Sequence, residues 1–228
     1  MVNISHVYDR SALAGGQRCP LCGTASAFAF ARVHARDYFS CNTCGLVHLD
    51  RTQRLSPERE LAHYDTHENS PNDLRYRAFL TQLAAPLLAR LPTGAVGLDF
   101  GSGPGPTLSV MFGEQGFPTS IYDPFFAPDP LPLTRDYDFV SCSETVEHFF
   151  NPGAEFQRLD RMLRPDGWLG IMTTVLRDDE NFATWHYPRD PTHVSFYRPR
   201  SLAWIAAHYG WALERPHMNV ALFRQRAP

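Results

Sequence analysis

The feature that most constrains the fold is the regular exchange of strand-like and helix-like segments after residue 95. The strand-like runs are AVGLDF, PTSIYD, YDFVSC and GWLGIMTTV, and helical patterns such as TLSVMFGEQG and GAEFQRLDRML separate them. This alternation predicts an α/β fold, a mainly parallel sheet with helices on both faces. The segments WALERP and NVALFRQ predict a closing pair of strands. Ligands of such sheets bind beyond the carboxyl ends of the strands, so we expect the functional residues there.

A glycine-rich loop, LDFGSGPG at 98–105, connects the first of these strands to a helix. Its glycines let the backbone turn sharply and approach a ligand closely, and the helix start offers free N–H groups. Asp99 lies at the end of the first strand and Asp123 at the end of the second. A carboxylate at the second strand end can accept hydrogen bonds from ribose hydroxyls. We therefore expect a nucleoside-containing cofactor, with a purely structural turn as the alternative.

The glycine spacing argues against a dinucleotide. The loop reads G-x-G-x-G rather than G-x-G-x-x-G. Pro104 and Pro106 also remove N–H groups that a diphosphate would use.

The motifs LDFGSGPG, IYD, YDFVSCSETVEH and LRPDGWLGIMT occur in this order over residues 95–225. In this order they resemble the motifs of class I S-adenosylmethionine-dependent methyltransferases. The resemblance implies a Rossmann-like, seven-stranded, mainly parallel sheet with an antiparallel last strand. It also implies that the glycine loop contacts the methionine part of the cofactor and that Asp123 binds the ribose. The candidate cofactor-binding residues are Asp99, Gly101, Ser102, Gly103, Gly105, Asp123, Cys142 and Ser143.

One departure from the family pattern concerns the third strand. Only PFFAPDPLPLTRD lies between Asp123 and Tyr137, where the family has a strand and a helix. The residue that would contact the adenine amino group therefore has no clear counterpart. Phe125 or Phe126 would either stack on the adenine or cap the core, and both alternatives stay open.

Four of the five cysteines form two C-x2-C pairs separated by 18 residues. This spacing predicts a tetrahedral zinc ribbon, with buried or disulfide-bonded cysteines as the alternative. Four thiolates leave no open coordination position, so the zinc would be structural. The proposed ligands are Cys19, Cys22, Cys41 and Cys44. We divide the chain into an arm and ribbon at 1–54, a helical lid or linker at 55–94 and a methyltransferase domain at 95–228.

The helical segment carries two further expectations. Pro86 should kink or interrupt the helix predicted within 57–93. The stretch HYDTHEN at 63–69 precedes the long helical pattern, and in the family this part often closes over the cofactor. Tyr64, His67, Glu68 and Asn69 would then line the pocket as a lid, with a polar helix start as the alternative.

The stretch SETVEHFF at 143–150 places two carboxylates and an imidazole, Glu144, Glu147 and His148, at the end of a strand. His193 follows GWLGIMTTV, which corresponds to the fifth strand of the family pattern. It could meet the other three residues because loops beyond the strand ends converge. The set resembles the E-x-x-E-H motif of the small-RNA 2′-O-methyltransferases and of the ubiquinone-biosynthesis O-methyltransferases. Matched by residue, it implies a divalent cation that lowers the pKa of the attacking hydroxyl. The alternatives are a metal-free general base, His148 or His193, and a purely structural loop.

Composition excludes several function classes. All 21 basic residues are arginine, which excludes a Schiff-base lysine and a Walker-type phosphate lysine. The net charge of −3 gives no general attraction to nucleic acid or to an anionic membrane. The chain has neither an apolar run of ~18 residues nor a signal-peptide pattern, so we expect a cytoplasmic protein with no membrane segment.

The prediction is an S-adenosylmethionine-dependent methyltransferase that acts on a hydroxyl oxygen of a small metabolite. The first alternative is an RNA-modifying methyltransferase whose zinc ribbon binds the nucleic acid. Five arginines near the ribbon would serve it: Arg18, Arg32, Arg36, Arg51 and Arg54. The second alternative is a non-catalytic module that binds the cofactor without transferring methyl.

Overall fold

The computed structural model describes residues 17–65 and 70–226. The strands in these ranges are β1 Ala27–Val33, β2 Arg36–Cys41, β3 Val47–Leu49, β4 Gly97–Phe100, β5 Thr119–Tyr122, β6 Tyr137–Ser143, β7 Leu163–Met172, β8 Ser195–Phe196, β9 Ala212–His217 and β10 Val220–Arg224. The α-helices there are α1 Pro57–Tyr64, α2 Leu74–Leu88, α3 Thr107–Glu114, α4 Pro152–Met162 and α5 Pro199–Tyr209.

The central sheet has the strand order β5-β4-β6-β7-β10-β9. The first four strands run parallel, and β10 runs antiparallel to both of its neighbours. This confirms the α/β prediction, including the antiparallel last strand. The described sheet has six strands rather than the expected seven. The segment 123–136 contains a short 3-10 helix, Leu131–Thr134, instead of a third strand, and its prolines have no N–H to donate to a sheet.

Helices cover both faces of this sheet. Consecutive side chains of a strand point to opposite faces, so neighbouring strand residues pack in different clusters. On one face, Phe139 of β6 packs in a cluster with Leu83 of α2 and Phe112 of α3. On the other face, its neighbour Val140 belongs to a cluster that includes Leu202 of α5. The two cores immobilise the strand ends that carry the candidate site.

The helical segment is two helices, and Pro86 does not interrupt the second one. The helix α2 runs through Pro86, two residues before its own end at Leu88. A proline at this position removes a single backbone hydrogen bond, to the carbonyl four residues earlier. Leu83 and Leu87 on either side of Pro86 are completely buried, and this packing holds the last turn in helical form.

The cysteine module is joined to the main body by a shared sheet. Its strands form the order β1-β2-β3-β8, and β8 comes from the long segment that follows β7 of the central sheet. Val47 pairs with Phe196, and His48 pairs with Ser195. The module therefore packs directly against the segment that contains His193.

None of the described helices combines the length and the apolar character needed to cross a bilayer.

Candidate functional site

The carboxyl ends of β4, β5 and β6 border a cavity of about 900 Å³. Helix α1 forms another part of its wall, through Pro57, Glu60 and Tyr64. Most of the residues predicted from the sequence line this cavity. They are Asp99, Gly101, Ser102, Gly103, Gly105, Asp123, Ser143, Glu144, His148 and His193.

The glycine loop is shaped by its contact with the end of β6. Gly101 and Gly103 have φ values of 77° and 64°, in the left-handed region that favours glycine. A Cβ atom on Gly101 would lie 2.2 Å from Cγ2 of Thr145, so only glycine fits there. The buried hydroxyl of Ser102 has no hydrogen-bond partner among the described residues, which is a property of a group that awaits a ligand.

Asp123 braces the loop as well as bordering the cavity. One carboxylate oxygen accepts the Gly103 N–H at 2.9 Å. The other accepts the N–H groups of Phe125 and Phe126 at 2.9 and 3.0 Å. A carboxylate has about four acceptor positions, so one is left for a ribose hydroxyl. Both phenylalanines line the cavity, and their stacking on adenine stays a prediction.

Asp99 and Cys142 lie deeper than the other cofactor candidates. Asp99 is buried, accepts a hydrogen bond from Ser141 at 2.9 Å, and has its pKa raised by burial to about 7. Cys142 is completely buried in the core cluster and lies outside the cavity lining. Burial raises the pKa of its thiol well above the ordinary value, so it is a packing group. Its neighbour Ser143 faces the cavity instead, because side chains alternate along β6.

The structure brings Glu147, His148 and His193 together. A ligand atom of each lies within 4.8 Å of the others, and the rings of His148 and His193 are 4.8 Å apart between centroids. Glu147 and His148 belong to a 3-10 turn, Val146–His148. The N–H of Val194 donates to the carbonyl of Glu147 at 2.9 Å, which fixes the His193 loop against this turn.

Glu147 is completely buried, and each of its two carboxylate oxygens accepts a hydrogen bond. Thr173 donates to its carboxylate at 2.9 Å, and the hydroxyl of Tyr187 donates to its other oxygen. The same hydroxyl lies 3.4 Å from Glu144, which has a left-handed backbone with φ of 47°. Burial, with the nearby charge of Glu147, raises the pKa of Glu144 to about 9. At neutral pH the Glu144 carboxyl group therefore carries its proton.

Each of the two histidines is held by a backbone carbonyl oxygen. Nδ1 of His148 lies 3.3 Å from the Thr192 carbonyl, and Nδ1 of His193 lies 2.9 Å from the Tyr187 carbonyl. A carbonyl oxygen can only accept, so these contacts favour a proton on each Nδ1 and a lone pair on each Nε2. Burial lowers the pKa of His148 to about 4, so its imidazole is neutral. Both side chains line the cavity and can accept a proton or bind a cation there.

Sequence reasoning missed the residues that support these groups. Thr173 and Tyr187 hold Glu147, and Asp190 lies 3.2 Å from His63 and 3.8 Å from His193. The string HYPRDPTH contains two of them, and its density of polar and aromatic residues was the available signal.

One residue of the predicted lid, Tyr64, contacts the candidate site. The hydroxyl of Tyr64 lies 3.1 Å from Nδ1 of His148, and its ring is 5.6 Å from that of Phe125. The other predicted lid residues, His67, Glu68 and Asn69, lie outside the described residues.

The cysteine quartet is compact. Its four sulfur atoms lie within 4.8 Å of one another, and the Cys19–Cys44 and Cys22–Cys41 sulfur pairs are each 3.5 Å apart. These separations exceed a disulfide bond length of about 2.05 Å. Gly23 and Gly45 adopt left-handed φ values of 73° and 78° just after each pair, which turns the chain back around the sulfurs. The arrangement is compatible with a zinc ribbon.

Comparison with known proteins agrees with this geometry. The profile of the methyltransferase domain family matches residues 73–215, more than half of the chain. No curated protein sequence matches the chain.

Several solved structures are similar to this chain. An O-methyltransferase family protein from Burkholderia thailandensis is 16% identical, with a TM-score of 0.50, and the match covers 75% of this chain but only 62% of that one. A chain from the complex of the Haloferax volcanii Trm112 methyltransferase activator with a methyltransferase is 12% identical, with a TM-score of 0.50 and coverage of 69% and 96%. The Burkholderia thailandensis 1,6-didemethyltoxoflavin-N1-methyltransferase, solved with S-adenosylhomocysteine, is 17% identical, with a TM-score of 0.49 and coverage of 87% and 99%.

The ordered motifs, the sheet topology and the family match all lead to one assignment. The chain belongs to the methyltransferase domain family, of the class I S-adenosylmethionine-dependent type, and its N-terminal cysteine module is compatible with a zinc ribbon.

Proposed function

We propose that this enzyme methylates a hydroxyl oxygen of a small metabolite. The observation that carries the proposal is the pair of cavity-lining histidines, His148 and His193, each with Nδ1 against a carbonyl oxygen. The cavity fits S-adenosylmethionine, because it offers the left-handed glycine loop, the unpartnered Ser102 hydroxyl and the Asp123 carboxylate. S-adenosylmethionine supplies an electrophilic methyl group on a sulfonium centre.

His148 is the residue that we assign to proton removal. Its neutral imidazole presents Nε2 while Thr192 and Tyr64 hold Nδ1. A base positioned in this way typically contributes a factor of about 10² to 10⁴ to the rate. Glu147, braced by Thr173 and Tyr187, keeps the turn that carries His148 in place.

A second role for the same residues has its own support. The ligand atoms of Glu147, His148 and His193 are close enough to share one divalent cation, and Glu144 lies beside them. Metal-binding histidines commonly donate their other N–H to a carbonyl, as both do here. A cation held there would bind the acceptor hydroxyl and lower its pKa. We further infer that the cysteine quartet binds a structural Zn²⁺.

Two of the five ribbon arginines are engaged within the protein, which favours a small acceptor over RNA. Arg36 donates to the carbonyl oxygens of Pro188, Asp190 and Pro191. Arg54 is half-buried, with its guanidinium 4.9 Å from the centre of the Phe150 ring. Arginines engaged inside the protein in this way do not form the open basic surface that nucleic acid requires.

The test is transfer of labelled methyl from S-adenosylmethionine to a panel of small catechols, phenols and sugars, with wild type, His148→Ala and His208→Ala. His208 is an exposed histidine on α5 and serves as the matched control. We expect His148→Ala to lower the rate by about 10² to 10⁴ while calorimetry shows unchanged cofactor affinity. Activity of His148→Ala equal to that of His208→Ala would contradict the assignment.

The same assay separates the two roles of the cluster. Activity that falls after EDTA treatment and returns with Mg²⁺ or Mn²⁺ identifies a cation site. Activity indifferent to EDTA identifies His148 as a metal-free base. The zinc content of the protein is measured in parallel, so that any loss from the cysteine quartet is recognised.

A further inference from the structure

Helix α1 places one carboxylate, Glu60, in the wall of the cavity next to the candidate methyl-transfer site. Glu60 lines the cavity and is only 7% exposed. It lies one helical turn before Tyr64, whose hydroxyl is 3.1 Å from Nδ1 of His148. A ligand group at Glu60 would therefore lie roughly one helical pitch, about 5 Å along the helix, from the group that meets His148.

Glu60 differs from the other carboxyl groups that line the cavity. Each of the others has a partner: Asp99 has Ser141, Asp123 has three backbone N–H groups, Glu144 has Tyr187, Glu155 has Arg158, and Asp190 has Thr192. Within residues 17–65 and 70–226, Glu60 is the cavity-lining carboxyl group that makes no hydrogen bond and no ion pair.

The positive charge that acts on Glu60, that of Arg54, does not form an ion pair with it. Arg54 exerts a long-range attraction on it but lies beyond ion-pair distance. The Arg54 guanidinium instead covers the ring of Phe150 and does not line the cavity. A buried carboxylate without a partner destabilises the folded protein, so such a group is retained where a ligand completes it.

The cavity that Glu60 lines indicates the type of ligand group. The cavity wall includes several aromatic rings, among them Tyr64, Phe125, Phe149 and Phe150. Aromatic faces together with a desolvated carboxylate stabilise a cation. A neutral hydroxyl would gain less from this environment than a charged ammonium group.

We propose that Glu60 binds a protonated amino group of the methyl acceptor, so that the substrate is a small hydroxylated amine. The proposal rests on the proposed function, because the hydroxyl of the same molecule must reach His148. Glu60 acts as the specificity-determining residue, and the histidine cluster acts on the hydroxyl.

The test uses a small-molecule extract of cells that naturally produce the protein, split into two portions. One portion is treated with an amine-selective acetylating reagent and then quenched, and the other receives quenched reagent only. Each portion is incubated with the full-length enzyme and methyl-labelled S-adenosylmethionine. We expect acetylation of the amines to reduce the labelled small-molecule product at least tenfold.

A variant series locates the effect. Glu60→Gln keeps the shape and removes the charge, while Glu58→Gln changes an exposed carboxylate of the same helix that does not line the cavity. We expect Glu60→Gln to lower labelling at least tenfold when the extract is highly diluted. The reduction should be much smaller when the extract is concentrated, as expected for a raised KM. Glu58→Gln should behave as wild type, and cofactor binding should be equal in all three proteins.

The outcomes distinguish the two levels of the argument. Equal labelling of acetylated and untreated extract, or Glu60→Gln equal to wild type, overturns the amine proposal and leaves the methyltransferase function standing. A protein that binds the cofactor but labels no small molecule in either portion overturns the proposed function itself.

Discussion

At the scale of single residues, two glycines of one loop have the same backbone conformation for different reasons. Gly101 and Gly103 both have positive φ values. A Cβ on Gly101 would meet Thr145 at 2.2 Å, whereas a Cβ on Gly103 would meet nothing within 4 Å. Gly101 is therefore required by packing as well as by conformation, and the contact joins the loop after β4 to the end of β6.

This difference predicts unequal effects of alanine. Gly103→Ala should cost about 1 kcal/mol of unfolding free energy from backbone strain alone. Gly101→Ala should cost about 1–3 kcal/mol more, because the added methyl overpacks against Thr145. Urea unfolding of the two variants measures the difference. The double variant Gly101→Ala, Thr145→Ala should recover part of the loss, and equal stability of the two single variants would show that the contact does not matter.

At the scale of elements, the hairpin β1–β2 supports the loop that carries His193. Arg36 at the start of β2 donates to the carbonyl oxygens of Pro191 at 3.1 Å and Asp190 at 3.4 Å, and also to that of Pro188. β3 pairs with β8 just after the loop, and the Leu49 N–H donates to Val194 at 2.9 Å. The cysteine module thus positions a catalytic candidate from outside the central sheet.

We therefore expect Arg36→Ala to lower kcat on the order of tenfold to a hundredfold, the size of effect that a displacement of about 1 Å produces. Cofactor affinity should change little, because Arg36 does not line the cavity. Arg32→Ala is the control, since Arg32 is on the same hairpin with a side chain that is 62% exposed. Steady-state kinetics of both variants checks the prediction, and an unchanged kcat in Arg36→Ala would refute the positioning role.

At the scale of the whole molecule, the cysteine module and the central sheet share one core. Cys19, Phe39 and Leu46 belong to the same buried cluster as Leu98 and Val140 of the sheet. A module that shares a core with the sheet should unfold together with it. The boundary after residue 54 marks a change of sequence motif and stays a prediction as a domain boundary.

Calorimetry should therefore show a single unfolding transition for the zinc-loaded protein. Removing the metal with a strong chelator should lower this one Tm by roughly 10 °C or more, because a structural zinc contributes several kcal/mol and each kcal/mol shifts Tm by about 2–4 °C at this size. Metal readdition should restore it. Two separate transitions, with only the lower one sensitive to chelation, would show instead that the module folds on its own.

Local sequence signals were sufficient for the features that depend on near neighbours. The glycine loop, the cysteine pairs and the exchange of strands with helices each depend on residues close in the chain, where backbone conformation and hydrophobic period act directly. The carboxyl ends of parallel strands meet at one edge, so the approach of His193 to His148 also followed from the pattern.

Only the tertiary structure decided the features that depend on distant partners. Side-chain alternation along β6 turns Ser143 toward the cavity and Cys142 into the core, and this depends on which face each helix covers. The buried bonds from Thr173 and Tyr187 to Glu147 join residues 26 and 40 positions apart. The pairing of β3 with β8 likewise joins residues far apart in the chain, so no local sequence pattern predicts it. Such contacts form because burial forces each polar group to find a partner wherever the fold supplies one.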